Sequence, residues 1–438
     1  MKRQSSEAQW AQWAQSAQSV IRLQVLVLAC LLNAVPLAAQ TIAITGGTVI
    51  PVSGPRIENG TVLIRDGVIA AVGTTVAVPD GAQRIDARGK IVTPGLINAF
   101  TQLGLTEVDL APGTVESSVS SDVAAAFNVA EGINPASTLI PVTRIEGITS
   151  ALVAPVGSFI AGQSVFIDLT DGPIEQLVVK SPVAMHVTLD EGAKGAGGGS
   201  RAGVAERLRR ILRDAQAYAQ RRSDYERRQM RDLAAPAADL EALQSVLAGR
   251  LPLIVTAHRV SDIRTALRIA REFNLRLVVA GAAEGWQIAD EIARANVPVL
   301  VEPLANIPSF NALGARYENP ARLAAAGVKV ALVAGVGPGG TAHNARIVKQ
   351  EAGNAVAYGM DRDAALRAIT LGPAEILGVA DRYGSLEPGR VANVVVWSGD
   401  PLEFSTAVEH VIIRGREIPL TSRQSELLER YRTLPPRY

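Results

Sequence analysis

The sequence predicts an α/β fold in which buried strands alternate with helices, with further short strands near both ends of the chain. The central alternation is clearest at residues 253–257, an apolar run that precedes a helical stripe of apolar residues at positions 263, 266, 267, 270 and 273. Near the N-terminal end, apolar runs at 42–50, 60–67 and 68–72 are punctuated by Gly and Asp-Gly, as in strands joined by turns. Strands that alternate with helices pair in parallel, which leaves a barrel or an open sheet.

The first 39 residues predict a secretory signal peptide. Lys2 and Arg3 precede an apolar stretch at 25–32, and the small residues Ala38 and Ala39 follow it. The apolar stretch is shorter than the about 20 residues that span a bilayer, so we expect cleavage near 38–40, export to the periplasm or medium, and no transmembrane span after processing. An uncleaved anchor and a lipid anchor on Cys30, which follows a weak lipoprotein-like box, are the alternatives.

Composition narrows the remaining possibilities. The chain has 438 residues, of which 48% are hydrophobic, enough for a large core. A formal net charge of +1 gives no reason to expect a nucleic-acid partner. Cys30 is the only cysteine, which excludes an intramolecular disulfide and argues against cysteine-based catalysis.

The remaining elements follow the same two patterns. Apolar strand-like runs occur at 277–280, 297–301 and 328–333, and a helix is predicted at 320–326. Residues 392–397 and 411–415 add short strands near the C-terminal end. Between about 195 and 250 lies a charged helical insertion that begins after a glycine-rich connection and has a narrow apolar stripe at 208, 211, 212, 215 and 218. We interpret it as a solvated helix, with an anionic partner as the alternative, in a barrel loop where it could cover the site.

Two sequence stretches resemble the amidohydrolase superfamily, in its imidazolonepropionase-like branch. Residues 91–104, IVTPGLINAFTQLG, resemble the first barrel strand of that family, whose pattern is P-G-L-I-D-x-H-x-H-x-G. Residues 384–397, GSLEPGRVANVVVW, match a second family phrase. The resemblance implies a (β/α)8 TIM barrel at 91–380 and a small composite β-sandwich domain built from 41–90 and 383–420, followed by a tail at 421–438.

The same resemblance identifies the positions where the family binds its catalytic metal. Strand 1 has Phe100 and Gln102 where the family has two histidines, and its aspartate position holds Asn98. The strand 4 position holds His186 where related sequences have lysine, and strand 5 retains its histidine as His258. Gly281 replaces the strand 6 histidine, and Gly335 replaces the strand 8 aspartate. Four of these six positions therefore lack a ligand, and one imidazole alone cannot hold a catalytic zinc.

Two functional hypotheses follow. The preferred one is an exported amidohydrolase-like pseudoenzyme without a metal centre, which acts as a binding or partner subunit for a small-molecule ligand or in a homo- or hetero-oligomer with a related hydrolase. The alternative is an active amidohydrolase that hydrolyses C–N bonds of non-peptide amides, cyclic amides or dipeptides. Its altered zinc site would use His186, His258 and His343, with Glu284 or Glu302, because the three histidines fall at or beyond predicted strand ends.

Overall fold

A computed structural model describes residues 41–157, 159–335 and 342–432. The predicted signal peptide, Cys30 and the last six residues of the predicted tail lie outside the described residues. Within the described ranges, none of the helices has both the length and the apolar character required to cross a bilayer.

The strands are, in chain order, β1 (Thr41–Val49), β2 (Ile57–Arg65), β3 (Val68–Gly73), β4 (Gln83–Asp86), β5 (Ile91–Pro94), β6 (Leu96–Thr101), β7 (Ile148–Val153), β8 (Ile160–Gln163), β9 (Val165–Asp168), β10 (Val178–Lys180), β11 (Met185–Thr188), β12 (Leu253–Ala257), β13 (Leu277–Gly281), β14 (Val299–Val301), β15 (Val330–Leu332), β16 (Val394–Trp397), β17 (Val408–Ile413) and β18 (Arg416–Ile418). The α-helices are α1 (Leu139–Arg144), α2 (Ile174–Leu177), α3 (Arg201–Gln220), α4 (Arg222–Glu226), α5 (Ala237–Ala242), α6 (Gln244–Leu247), α7 (Val260–Phe273), α8 (Ala289–Arg294), α9 (Asn319–Ala325), α10 (Val348–Ala357), α11 (Arg362–Arg367), α12 (Leu371–Leu377) and α13 (Arg423–Tyr431). Short 3₁₀ turns lie at Pro112–Thr114, Val129–Gly132, Glu191–Ala193, Gly285–Ile288, Pro303–Ala305 and Ala342–Ile347.

One sheet is built from both ends of the described chain. Its strand order is β18-β17-β16-β5-β1-β2-β3, with β4 beside β1. β5, which belongs to the stretch that resembles the first barrel strand, pairs with β1 and β16 in this sheet instead of entering the barrel. Buried aliphatic side chains such as Ile42, Ile64 and Ile412 form its core. The sheet joins chain segments more than 300 residues apart through backbone hydrogen bonds.

The central domain is a TIM barrel, as the sequence resemblance implies. Strands β11 to β15 pair in parallel, one with the next, and β6 pairs in parallel with β7. Asn98 of β6 connects the first strand to the last, because its Nδ2 donates to the Ala334 carbonyl at 2.9 Å, just beyond β15. The buried Asn98 amide thus ties the two ends of the strand series together where the family has aspartate.

The third position of the barrel departs from the all-parallel arrangement. The consecutive strands β8 and β9, separated only by Ser164, lie between β7 and β11. β9 runs antiparallel to β7 and β8 runs antiparallel to β11. The connection from β7 to β8 covers only residues 154–159, too short for the crossover that a parallel strand requires.

The charged insertion packs on the barrel through the predicted stripe. Leu208, Ile211, Leu212, Ala215 and Tyr218 on α3 are all buried. Ser200 caps the helix, since its Oγ accepts from the Gly203 amide at 3.1 Å. The first residue of the helix, Arg201, reaches across to the loop that follows β14, so the insertion does contact the barrel mouth.

Candidate functional site

Two cavities lie at the ends of the barrel strands, and the Phe100 ring lines both. The larger, which we call the mouth cavity, has a volume of about 330 Å³. Its lining comprises Phe100, His258, Ala280, Gly281, Ala283, Leu300, Glu302, Leu304, Ala305, Asn306, Ile307, Pro308, Ser309, Asn311, Ala312 and Val333. The smaller, the inner cavity, has a volume of about 190 Å³ and is lined by Phe100, Gln102, Pro155, Val156, Gly157, Ala161, His186, Val187, Thr188, Thr256 and Gly335.

His258 occupies the space in front of Gly281. His258 directly follows β12, and Gly281 ends the neighbouring strand β13. A Cβ atom at position 281 would lie 2.5 Å from Cε1 and 2.9 Å from Nδ1 of the imidazole. Gly281 also has a φ of +87°, a conformation that residues with side chains adopt at a cost. The imidazole of His258, the retained family ligand, therefore occupies the space that a side chain at position 281 would need.

An acidic environment surrounds the His258 ring. Nε2 lies 3.6 Å from Oδ2 of Asp190, which follows β11. Burial lowers the pKa of His258, and the carboxylates of Asp190, Asp262 and Glu284 oppose that shift. Asn311, in the loop after β14, donates to the same Asp190 oxygen at 3.4 Å. Asp190 thus links His258 to the loop that walls the mouth cavity.

His186 lies in the inner cavity, on the other side of Phe100. Its ring meets the Phe100 ring edge-on, with centroids 5.2 Å apart and an interplanar angle of 79°. Nε2 is buried and has no hydrogen-bond partner. Burial lowers the pKa of His186 to about 3, so the imidazole is neutral at physiological pH.

The remaining positions that the resemblance assigns to the metal carry no suitable donor. Gln102 is buried in the inner cavity, and its Nε2 lacks a hydrogen-bond partner. Gly335, with φ +94°, donates its backbone N–H to Oε1 of Glu302 at 2.9 Å. A catalytic zinc needs three or more nitrogen, sulfur or carboxylate ligands around one point. A phenyl ring, an uncharged amide and two glycines do not fit that requirement.

His343 does not join the other two histidines. It is exposed in the 3₁₀ turn that follows β15 and lines neither cavity. In the ranges 41–157, 159–335 and 342–432, no three His, Cys, Asp or Glu side chains converge in a way that could hold a metal ion. The placement of His186, His258 and His343 in three different surroundings does not support the three-histidine zinc hypothesis.

The two glutamates of that hypothesis have other contacts. Glu284 binds the N-terminus of α7, because its Oε2 accepts from the Val260 amide at 3.0 Å. Its Oε1 accepts from the Gly314 amide at 2.9 Å, which fastens the loop after β14. Glu302 lines the mouth cavity and holds Gly335. Both carboxylates therefore organise backbone at the barrel mouth.

The loop after β14 forms the outer wall of the mouth cavity and is held by two arginines. Arg259 donates from Nε to the Asn311 carbonyl at 3.2 Å and from Nη2 to the Phe310 carbonyl. Arg201 of the insertion donates to Oδ1 of Asn311 at 2.7 Å. Asn306 in the same loop is buried, and its Nδ2 has no hydrogen-bond partner. A largely apolar cavity with a few convergent polar groups is typical of a small-molecule site.

Four residues at or near the mouth cavity carry little signal in the sequence. Asp190 follows the end of β11, a position that marks it as a candidate, whereas Arg201 is one of many arginines in a charged helix. Asn306 lies in a loop without a recognisable motif. Glu351 is fully buried on α10, where its Oε2 accepts from the Leu304 amide at 2.8 Å and its Oε1 has no partner. Burial, together with the nearby Glu302, raises the pKa of Glu351 to about 8.

Comparison with known proteins gives consistent similarities. A family model described as "Amidohydrolase family" matches residues 337–419. The chain is 25% identical over 390 residues to amidohydrolase tasK of Hapsidospora irregularis, covering 81% of this chain but only 39% of that protein. It is also 25% identical over 440 residues to a 5-methylthioadenosine/S-adenosylhomocysteine deaminase of Desulforudis audaxviator, covering 88% of this chain and 96% of the deaminase.

A solved structure shows the same similarity in three dimensions. An amidohydrolase from Thermotoga maritima MSB8 superposes with a TM-score of 0.78 and 28% sequence identity. The superposition covers 87% of this chain and all (100%) of that one. The similarity therefore extends over the barrel and the small sheet together.

Proposed function

This chain belongs to the amidohydrolase superfamily, and we propose that it is a member whose metal centre has given way to a metal-free cavity that binds a small molecule. Its relatives include proteins named as deaminases and amidohydrolases. Function depends on the site and not on the fold, so those activities do not transfer to a site with different residues. In this proposal the chain is exported and acts as a pseudoenzyme.

The observation that carries the proposal is the His258–Gly281 contact. In a metal centre, ligands from neighbouring strands converge on an ion that keeps their side chains apart. Here a Cβ at 281 would lie 2.5 Å from the His258 ring. His258, the one retained ligand, therefore occupies the space of the missing strand 6 ligand. Restoring the missing histidine would require the existing one to move. The substitutions are therefore accommodated by packing, which supports a site adapted to lack the metal.

The mouth cavity supplies the binding function. Phe100, Leu300 and Val333 form an apolar floor, while Asn306 and Asn311 stand on the outer loop. The cavity volume of about 330 Å³ falls in the range of small-molecule sites. We infer a ligand with an apolar body and a polar group directed at the asparagines and His258.

Elemental analysis and a binding screen test the proposal together. We expect protein purified without chelators to contain far less than one equivalent of zinc, manganese, iron or nickel. We also expect no turnover of amide, lactam or dipeptide substrates with added metal, and saturable binding of one compound class in a thermal-shift screen. Ala305→Trp, at a half-buried position of the loop that lines the mouth cavity, should block the cavity and abolish that binding, while urea denaturation shows that the variant remains folded.

Stoichiometric metal that is lost in His258→Ala would instead support the alternative, an active hydrolase with an altered site. One contact gives that alternative a metal-free form, since Asp190 lies 3.6 Å from His258 Nε2 and could orient the imidazole as a general base. Hydrolysis in the absence of metal that is lost in both His258→Ala and Asp190→Asn would contradict the pseudoenzyme proposal.

A further inference from the structure

The loop after β14 exposes a group of apolar side chains at the barrel mouth. Residues 303–314, with the sequence PLANIPSFNALG, contain no charged side chain. Within this loop Ile307, Phe310 and Leu313 are 54%, 89% and 70% exposed. Single exposed apolar residues are ordinary on a protein surface, whereas several on one loop form a patch that marks a binding surface.

Backbone and side-chain contacts give this loop a defined shape. Ser309 and Ala312 exchange backbone hydrogen bonds at 2.9 and 3.2 Å, so Phe310 and Asn311 lie at the tip of a tight turn. The Asn311 amide donates to Asp190, while the Phe310 ring beside it lies in solvent. The exposed phenyl ring is therefore presented by a loop that is fastened to the barrel.

A cationic cluster borders the apolar loop. The carbonyl of Gly314, the last residue of the loop, accepts from Nε1 of Trp286 at 2.8 Å. The Cζ atoms of Arg316 and Arg322 each lie 4.7 Å from the centroid of that indole ring. Within the ranges that the structure describes, neither guanidinium forms an ion pair, although Glu318 lies between the two arginines in the sequence. Two uncompensated positive charges therefore stand next to the patch.

This combination matches a lipid surface better than a protein partner. In membrane-surface contacts, apolar side chains enter the acyl boundary, and tryptophan and arginine lie at the level of the headgroups. Arginines near anionic lipid add attraction to the surface. A standard protein interface uses about 20–30 residues a side, far more than the tip of one loop offers. Shallow insertion into a bilayer needs only a few side chains.

We propose that the loop at 303–314 docks the protein on the surface of a bilayer that contains anionic phospholipid. Ile307, Phe310 and Leu313 enter the acyl boundary, and Arg316 and Arg322 contact the lipid phosphates. The proposal goes beyond the proposed function and does not depend on whether the barrel mouth binds a metal or a small molecule.

Vesicle flotation of the mature chain, without the predicted signal peptide, tests the proposal. One set of vesicles is pure phosphatidylcholine, and the other contains about one third phosphatidylglycerol. We expect the chain to float with both and to bind the phosphatidylglycerol vesicles more tightly. Added salt should reduce that preference, because it screens the attraction between arginine and phosphate.

Two exposed phenylalanines provide matched variants. Phe310→Ser should weaken binding to both kinds of vesicle about 10-fold, because the phenyl ring no longer enters the bilayer. Phe404, in the loop between β16 and β17, is 88% exposed, and Phe404→Ser should leave binding unchanged. Urea denaturation confirms that both variants fold, and Leu313→Ser replaces Phe310→Ser if that variant does not.

A second pair of variants tests the charges. Arg316→Gln should weaken binding to phosphatidylglycerol vesicles about fivefold and leave binding to phosphatidylcholine almost unchanged. Arg416→Gln removes an exposed arginine from the small sheet and should change neither. Fluorescence locates the contact, because Trp286 is half-buried beside the loop and Trp397, the other tryptophan after residue 40, is fully buried. Vesicles should shift the emission to shorter wavelength in wild type but not in Trp286→Phe.

Three results would overturn the membrane proposal and leave the proposed function standing. The first is the absence of flotation with either kind of vesicle. The second is equal flotation of Phe310→Ser and Phe404→Ser. The third is self-association or capture of a protein partner that Phe310→Ser abolishes in a chain that does not bind vesicles, which would assign the loop to a protein interface.

Discussion

At the residue scale, single positions determine what the barrel mouth can do. Gly281 and His258 are a matched pair, since the imidazole occupies the volume that any side chain at 281 would need. Phe100 separates two cavities and packs against His186. The residues that replace the family ligands therefore contact one another and form a packed lining.

Gly281→Ala should lower the free energy of unfolding by more than the cost of placing a side chain at the positive φ of residue 281. The positive φ costs about 1–2 kcal/mol for a residue with a side chain, and forcing His258 to move adds about 1–3 kcal/mol. Gly389→Ala is the matched control, because Gly389 has the same φ of +87° but nothing within 4 Å of an added Cβ. Urea denaturation should show a loss of about 2–5 kcal/mol for the first variant and about 1–2 for the second. Equal losses would mean that the His258 contact is not constraining.

The raised pKa of the buried Glu351 carboxyl should make the free energy of unfolding decrease as the pH rises. Its pKa is about 8 in the folded protein against a normal value of 4.5, so the folded chain retains a proton that the unfolded chain releases between these values. The stabilisation that Glu351 contributes by staying protonated is therefore fully present below about pH 4.5 and is lost as the pH rises to about 8. Over that range the free energy of unfolding falls by up to about 1.4 kcal/mol per pH unit. Glu351→Gln should remove this slope.

The measurement is the difference in unfolding free energy between wild type and Glu351→Gln at pH 5, 7 and 9. Taking the difference matters because His186, with its pKa lowered to about 3, gives an opposite slope below pH 6.5. Glu426→Gln on the exposed face of α13 serves as the control and should leave the slope unchanged. A constant difference across the three pH values would show that Glu351 is ionised in the folded protein.

At the scale of elements, the insertion helix and the loop after β14 act as one unit. Arg201 at the start of α3 donates to Asp262 at 3.0 Å and to Asn311 at 2.7 Å. The helix thus reaches from the outer surface of the barrel to the wall of the mouth cavity. The sequence predicts a charged helical insertion between about 195 and 250, and the structure adds a contact of α3 with the loop that walls the mouth cavity.

Arg201→Met should loosen the loop that walls the mouth cavity. Losing a hydrogen bond from a charged group costs about 1.5–3 kcal/mol, so amide hydrogen exchange at residues 309–314 should accelerate by about 10-fold or more. Arg209→Met on the same helix is the control, because Arg209 pairs with Glu272 on α7 and not with the loop. Unchanged exchange in the first variant would indicate that Arg259 and Glu284 hold the loop without help from the helix.

More of the fold than of the candidate site could be predicted from the sequence. Periodicity located β12, β13 and α7, and the family phrases implied the barrel and the two-ended sheet. The sequence does not predict the antiparallel segment β8–β9, because an almost continuously buried run such as 160–168 does not encode the direction of the neighbouring strand. The separation of His186 from His258 also could not be read from the sequence, since it depends on the Phe100 ring between their cavities. The sequence does not mark Glu351, because its burial arises from packing against the turn at Pro303–Ala305.

At the scale of the whole molecule, a buried polar cluster joins the barrel to the small sheet. Asp168 at the end of β9 is fully buried. Its oxygens accept from Tyr383 at 2.9 Å, Ser150 at 2.8 Å, Asn393 at 3.0 Å and Arg414 at 2.5 Å. Arg414 lies in the turn between β17 and β18 of the small sheet, so one carboxylate ties the two-ended sheet to the third strand of the barrel.

Arg414→Met should destabilise the whole protein because it leaves the Asp168 carboxylate buried without its counter-charge. Removing one partner of a buried ion pair costs about 3–5 kcal/mol, whereas exposed charges contribute at most about 1 kcal/mol. Arg416→Met, an exposed arginine two residues further along the same hairpin, is the matched control. Differential scanning calorimetry should show a clearly lower Tm for the first variant and almost no change for the second.

The double variant Asp168→Asn with Arg414→Met separates charge from packing. Because the neutral amide keeps the hydrogen bond from Asn393 or Ser150 and no longer needs a counter-charge, it should recover part of the stability lost in Arg414→Met alone. Recovery would show that the cost came from the uncompensated charge. If the losses of the two single variants simply add, the arginine stabilises the interface through its aliphatic packing, and the barrel and the small sheet are held together by their apolar contacts.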